Sequence, residues 1–272
     1  MTPTPLTAGN ARVKEARKLS RRSVRTERRL FLADGPKAVE GALGVPGCVV
    51  EIFSTPAASE RYAALLAGQP ITLVEDKAIA GLSDSVSPAG VVALCRHLDV
   101  PPREVLGAAA SDAAASARLA PRLTAICADV RDPGNAGTVI RCADAAGADG
   151  VVLAGDSVDA YNPKTVRASV GSLFHLPIAV ERDAATAVRT AQAAGLTVLA
   201  ADMDGQSDLF SSDELLARPT AWLFGNEAWG LPADLAALAD HVVSIPIFGR
   251  AESLNLSTAA ALCLYASARA QR

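Results

Sequence analysis

The stretch ESLNLSTAAAL, beginning at Glu252, sets Ser253, Asn255, Ser257 and Thr258 beside a glutamate where an alanine-rich helix is about to start. One capping side chain satisfies a helix start. Five polar groups are a surplus, and they mark a candidate site. Two earlier stretches carry a similar mixture of turn residues and polar groups. In DVRDPGNAGTVIRCADAAG, Pro133, Gly134 and Asn135 make a tight turn before a helix. Asn135 is expected as its N-cap, with Arg141 about two turns along and off its face. In AWLFGNEAWGLP an apolar run stops at Gly225, with Asn226 and Glu227 at its exit and Gly230 and Pro232 after them. Glycine at such a place lets backbone amides approach a ligand closely. Singly, each stretch has an ordinary reading: a cap, a surface arginine, a glutamate facing a helix dipole. Together their amides, hydroxyls, carboxylate and guanidinium suit the binding and orientation of a polar ligand. No GxGxxG turn and no P-loop lysine accompanies them, so a dinucleotide or ATP fingerprint is absent.

These residues need a scaffold that gathers them. From Leu123 onward, near-continuous apolar runs (LTAICADV, GVVLAG, FHLPIAV, LTVLAAD, TAWLFG, VVSIPI) alternate with helical segments. NPKTVRASVG reads as a helix ending at Gly171, and NLSTAAALCLYASARA as the last helix. Strands of that kind, separated by helices, predict an α/β fold with a mostly parallel sheet covered on both faces. In such sheets ligands bind beyond the carboxyl ends of the strands, where all three stretches fall. Residues 1–100 predict a separate small α/β domain: a basic helical segment, FLADGPKAVEGAL, the strand CVVEIFS, the helix SERYAALLAG, and strands at ITLV and GVVALC. Residues 101–122, rich in Ala, Pro and Ser, read as a linker, leaving 123–272 as the second domain.

Composition narrows the class. Half of the 272 residues are hydrophobic, yet no run approaches the length of a membrane span, and the N-terminus lacks a signal-peptide core. Five cysteines without CxxC spacing predict reduced, buried thiols in a cytoplasmic protein, and three scattered histidines predict no metal site. The net charge of −3 hides an asymmetry, because residues 1–31 hold nine Lys/Arg against Glu15 and Glu27. That segment carries +7 and the remainder −10. Arg21, Arg22, Arg25, Arg28 and Arg29 cluster within it as a candidate phosphate-binding patch, with a solvated helix face as the alternative.

The trio NAGTVIR, FGNEAWGL and IPIFGRAESLNLSTAAALCLY resembles the three motifs of SpoU/TrmH-type RNA ribose 2′-O-methyltransferases of the SPOUT superfamily, over residues 123–270. ASVGSLFHLPI, residues 168–178, is similar to a further family segment. The N-terminal part, with FLADGPKAVEGAL, resembles the small substrate-binding domain of many members, itself similar to a kink-turn-binding ribosomal protein. The resemblance implies Asn135, Arg141, Glu227, Ser253 and Asn255 as the catalytic and substrate-facing set. It implies S-adenosylmethionine held by Leu223, Phe224, Gly225, Asn226, Gly230, Ile245, Ile247, Ser253 and Leu254, largely through backbone. It also implies a homodimer and a trefoil knot, which chain-topology rules alone would never suggest. Within the family, a distinct N-terminal domain favours 23S ribosomal RNA as substrate, with transfer RNA as the alternative. The basic segment 21–29 then becomes the expected RNA contact. Which residue, if any, acts as general base stays open. A non-catalytic RNA-binding protein on the same fold is the rival reading, and the intact motif residues weigh against it. A nicotinamide-dependent oxidoreductase lacks its glycine fingerprint.

Overall fold

The structure, a computed structural model, describes residues 4–107 and 122–272. Most of the expected linker lies outside the described residues; its start forms a short helix, Pro102–Leu106. The chain divides into two compact units, one of residues 1–98 with 159–175, the other of 99–158 with 176–272.

The first unit holds a four-stranded mixed sheet. Its strands are β1 (Leu30–Asp34), β2 (Val49–Ser54), β3 (Ile71–Leu73) and β4 (Val91–Arg96), in the order β1-β4-β2-β3. β4 runs antiparallel to both neighbours, while β2 and β3 are parallel. The basic N-terminal segment forms helices Ala11–Arg17 and Arg22–Arg28, the first capped by the Asn10 side chain on the N–H of Arg12. Val13, Ala16 and Leu19, three residues apart, turn inward against Phe53, Val74 and Val92.

The segment 159–175 belongs to this unit, although sequence order sets it amid the second domain's strands. NPKTVRASVG is helical only over Pro163–Ala168, and Gly171 adopts φ +97° after a tight turn. FHLPIAV is not one strand: Ser172–Phe174 is a 3₁₀ turn and pairing begins at Ile178. The reason is packing. The rings of Tyr161 and Phe174 lie 4.6 and 6.0 Å from that of Phe31, and Tyr161 Oη accepts the Leu98 N–H at 2.6 Å. Pro177, which has no N–H to give a ladder, precedes the strand.

The second unit is an all-parallel seven-stranded sheet. Its strands are β5 (Leu123–Ala128), β6 (Gly150–Ala154), β7 (Ile178–Glu181), β8 (Thr197–Ala201), β9 (Ser207–Asp208), β10 (Thr220–Phe224) and β11 (His241–Ser244). The order is β7-β6-β5-β10-β8-β11-β9. β5, β6 and β10 are buried at every position, as strands covered on both faces must be. β9, two residues long, is below what an apolar pattern can signal. Helices Pro133–Ala146 and Leu256–Ala270 pack together, their alanines allowing close approach. The fully buried Trp222 of β10 donates its indole N–H to Ser267 Oγ at 2.9 Å. The other face closes over Ile126, Val152, Val198 and Leu223. From β5 the chain builds outward to β7, then returns to start β8 on the far side of β10. The carboxyl ends of β5 and β10 therefore flank the reversal, the usual place for a ligand in an open α/β sheet. Among the described residues no helix is long and apolar enough to cross a membrane.

Candidate active site

β5, β10 and β11 are parallel, so Asp129–Asn135, Gly225–Gly230 and Ile245–Asn255 all leave the sheet at one edge. Three of the expected catalytic residues meet there. Asn255 caps helix Leu256–Ala270: its Oδ1 accepts the N–H groups of Ser257 at 2.9 Å and Thr258 at 3.4 Å, and the Ser257 hydroxyl at 2.7 Å. Backbone N–H can only donate, so these bonds orient the amide and turn its Nδ2 outward. Asn255 Nδ2 donates to Asn135 Oδ1 at 3.0 Å, and Asn135 Nδ2 donates to Glu227 Oε1 at 3.2 Å. Glu227 also accepts the backbone N–H of Asp132 at 3.1 Å and of Arg131 at 3.2 Å. The three motifs are thus tied by a hydrogen-bond chain of fixed polarity, ending on a carboxylate.

Asn135 is not the N-cap expected of it. With Pro133 in the first turn, the cap falls to Asp132, whose Oδ1 accepts the Asn135 N–H at 2.8 Å. Asn135 sits inside the first turn, and its side chain is released to bridge Asn255 and Glu227. Arg141 and Ser253 are exposed, and no hydrogen bond or ion pair of either side chain is found among the described residues. Neither joins the chain of amides.

The residues expected around the cofactor divide in two. Leu223 and Phe224 point into the core, at 0% and 1% exposure, so only their backbone can face a ligand. Gly225 and Asn226 open a turn closed by reciprocal backbone bonds between Asn226 and Gly230, both 2.9 Å. A Cβ on Gly225 would collide with the Gly230 carbonyl and lie 2.6 Å from Leu231 N, so this glycine serves contact of two backbone segments. Gly230 itself has φ +71°, a conformation that favours glycine. Asn226 is buried; its Nδ2 donates to Asp129 O at 2.6 Å, joining the exits of β5 and β10. Beyond β11, Ile245 is half-buried, while Ile247 and Leu254 expose apolar side chains at this edge. Backbone groups at strand ends beside exposed aliphatic side chains fit an adenosyl group, which needs polar contacts at its base edge and ribose and apolar cover for its ring.

Sequence reading missed four contributors. Asp129 adopts φ +56° and accepts the Asp156 N–H at 2.7 Å. Buried Ser157 accepts the Val130 N–H at 3.0 Å. Arg131 lies over the Trp229 ring, 5.1 Å from its centroid. Only Trp229, a rare residue within a candidate motif, offered a signal; the others act through contacts distant in sequence. Near the site, burial pushes the Cys127 thiol up to about 12, with the Glu227 charge adding to it.

The sequence profile of the SpoU rRNA methylase family matches residues 122–265, and that of the MRM3-like substrate binding domain matches residues 10–93. The chain belongs to the SpoU rRNA methylase family. It is 34% identical over 261 residues to the 23S rRNA (guanosine(2553)-2′-O)-methyltransferase RlmP of Bacillus subtilis, spanning 95% of this chain and 96% of that protein. An AdoMet-bound rRNA methyltransferase from Sinorhizobium meliloti superposes with a TM-score of 0.81 at 33% identity, over 98% of this chain and 97% of that one. The SpoU methyltransferase AviRb from Streptomyces viridochromogenes, in complex with AdoMet, gives 0.77 at 30% identity, over 96% and 98%. As a SpoU methylase, the chain is an S-adenosylmethionine-dependent methyltransferase on a SPOUT fold.

Proposed function

We propose that this chain methylates a ribose 2′-hydroxyl of 23S ribosomal RNA. The observation that carries the reading is the Asn255–Asn135–Glu227 chain, which draws one residue from each of three motifs to the carboxyl edge of the sheet. S-adenosylmethionine, bound at the turn Gly225–Gly230 and the segment from Ile245 to Leu254, supplies an electrophilic methyl group. The remaining work is positioning a weak nucleophile and stabilising charge as its proton passes to water at this exposed edge. Each amide nitrogen of Asn135 and Asn255 spends one hydrogen within the chain and keeps a second for the ribose. Glu227 holds Asn135 and the backbone before its helix in one arrangement. Arg141, exposed nearly two turns beyond Asn135, clamps the neighbouring phosphate and stabilises the developing alkoxide. A guanidinium keeps its proton in proteins, which suits a fixed cation better than a base. The Ser253 hydroxyl adds a contact to the substrate backbone.

Exposed Arg21, Arg22, Arg28 and Arg29 form the RNA face of the first unit. Arg25 is withdrawn from that set. It is 2% exposed, its Nε and Nη2 engage Asp159 at 2.8 and 2.7 Å, and its Nη1 donates to the carbonyls of Leu19 and Ser20. We further infer a homodimer in which the segment after β11 is threaded as a trefoil knot. Five free cysteines suit a reducing compartment, so we place the reaction in the cytoplasm.

The test is methyl transfer from labelled S-adenosylmethionine to in vitro transcripts of 23S rRNA and of bulk tRNA, with 2′-O-methyl mapping of the product. Label confined to ribose in the 23S transcript is expected. Label in tRNA alone, or on a base, would overturn the reading.

A further inference from the structure

Trp229 stands half in solvent at the exit of β10. The chain has two tryptophans. Trp222 is fully buried, whereas Trp229 is 54% exposed. Leaving a large apolar ring half in water forgoes much of the stabilisation that its burial would contribute. The turn that carries it does not need the indole, since backbone bonds between Asn226 and Gly230 close it and Asn226 Oδ1 accepts the Ala228 N–H at 2.8 Å.

Among the described residues a cation lies over the ring. The Arg131 guanidinium lies 5.1 Å from its centroid, and reaches Asp156 only at 3.8 Å, between side chains 58% and 87% exposed. Both members of the pair are fastened to the polar chain of the candidate active site. The Arg131 N–H donates to Glu227 Oε2, and Trp229 follows Glu227 by two residues. Glu227 in turn holds Asn135. An exposed aromatic ring beside a cation is thus linked through Glu227 to the amide of Asn135.

Resting on the RNA reading above, we propose that Trp229 and Arg131 form a stacking platform for the base of the nucleotide being methylated. A 2′-hydroxyl is the same on every nucleotide, so the amides fix its ribose but cannot by themselves hold the nucleoside in place. Unstacked RNA bases are held on aromatic faces and on arginine planes, and such stacking accepts any base. The positive charge of Arg131 also favours an anionic strand over the apolar face of a second protein chain. With the base on this platform, its ribose faces Asn135 and Asn255.

Tryptophan fluorescence reads the stack directly, because Trp222 is sealed in the core and supplies a constant background. Adding an in vitro 23S rRNA transcript should quench wild-type emission, and Trp229→Phe should abolish the quench. Trp229→Phe, which keeps a ring, should retain most of the wild-type turnover. Trp229→Ala should raise the KM for the transcript about tenfold or more, the weakening expected for one base stack, with unchanged affinity for S-adenosylmethionine. Binding and methylation of the transcript with no quench would overturn the platform. So would loss of S-adenosylmethionine affinity in Trp229→Ala, which would assign the ring to the cofactor, or conversion of Trp229→Ala to a smaller species in sedimentation, which would assign it to a partner copy. A wild-type protein that neither binds nor methylates the transcript would overturn the RNA reading, and the platform with it.

Discussion

Asn135, Asn255 and Glu227 are equivalent in no simple sense: the cap at Asn255 sets the direction of the chain, and the carboxylate of Glu227 terminates it. Arg141 stands apart from that chain, which makes its substitution clean. Arg141→Ala is expected to lower turnover by about 10²–10³-fold, the scale for removing one charge-stabilising donor. Melting temperature and S-adenosylmethionine affinity should stay near wild type, because the guanidinium is exposed. Steady-state kinetics beside a titration of the cofactor would check it, and near wild-type turnover would remove Arg141 from the proposed site. The cysteines give a second prediction. Burial raises Cys127 to about 12 and raises Cys263 further, so both stay neutral in the folded protein where an unfolded thiol would ionise. The folded value is the higher one, so the stability from this effect is intact below the ordinary thiol range and is lost as pH climbs through it towards 12. Cys127→Ala should flatten the decline of stability above about pH 9 in chemical unfolding curves. At pH 8, half-buried Cys142 should react with a thiol reagent before the four buried cysteines.

At the scale of elements, the exits of β5 and β10 form one construction. Asn226 ties them through Asp129, and the Gly225–Gly230 turn has room for no side chain at its first residue. Gly225→Val is therefore expected to act on the fold as well as on cofactor binding. The new side chain must push the Gly230–Leu231 backbone away, opening the pair that closes the turn. Overpacking of this kind costs about 1–3 kcal/mol. Calorimetry should show weakened S-adenosylmethionine binding together with a lower melting temperature. Weakened binding with an unchanged melting temperature would mean that the side chain only blocks the cofactor's approach.

At the scale of the whole molecule, charge separates by unit, and the basic N-terminal segment holds two kinds of arginine. Arg21 and Arg22 are exposed, and each phosphate left without its arginine should flatten the salt dependence of RNA binding by roughly 0.7–0.9 in log–log slope. Arg21→Gln with Arg22→Gln should show that flattening with unchanged stability and cofactor affinity. Arg25 is a structural member of the first unit, holding the 159–175 segment through Asp159. Removing one partner of a buried pair costs about 3–5 kcal/mol. Arg25→Gln should lower the melting temperature sharply. Salt titrations and thermal melts on the two variants distinguish the roles; a stable Arg25→Gln protein with a flattened salt slope would return Arg25 to the RNA face.

The sequence alone determined the parallel sheet, because strands buried on both faces must be written as continuous apolar runs such as LTAICA and TAWLF. It also determined that the three motifs share one edge, because segments that follow parallel strands leave at their carboxyl ends. That a cap would come from Ser253, Asn255, Ser257 or Thr258 was legible for a local reason, and the folded chain gives the task to Asn255. Other features were decided only by tertiary structure. Helical spacing puts Arg25 in line with Arg22 and Arg28, but its partner Asp159 lies 134 residues away and turns a surface arginine into a core one. Asn135 reads as a cap until Asp132 takes that task, and its bond to Asn255 spans 120 residues. Phe174 looks like part of a strand of the second domain, and Tyr161 like part of its loops, until Phe31 claims both for the first. Local spacing encodes which face a residue occupies; only the closed fold determines what waits on that face, and that partner sets whether a charge is buried, bridging or free for substrate.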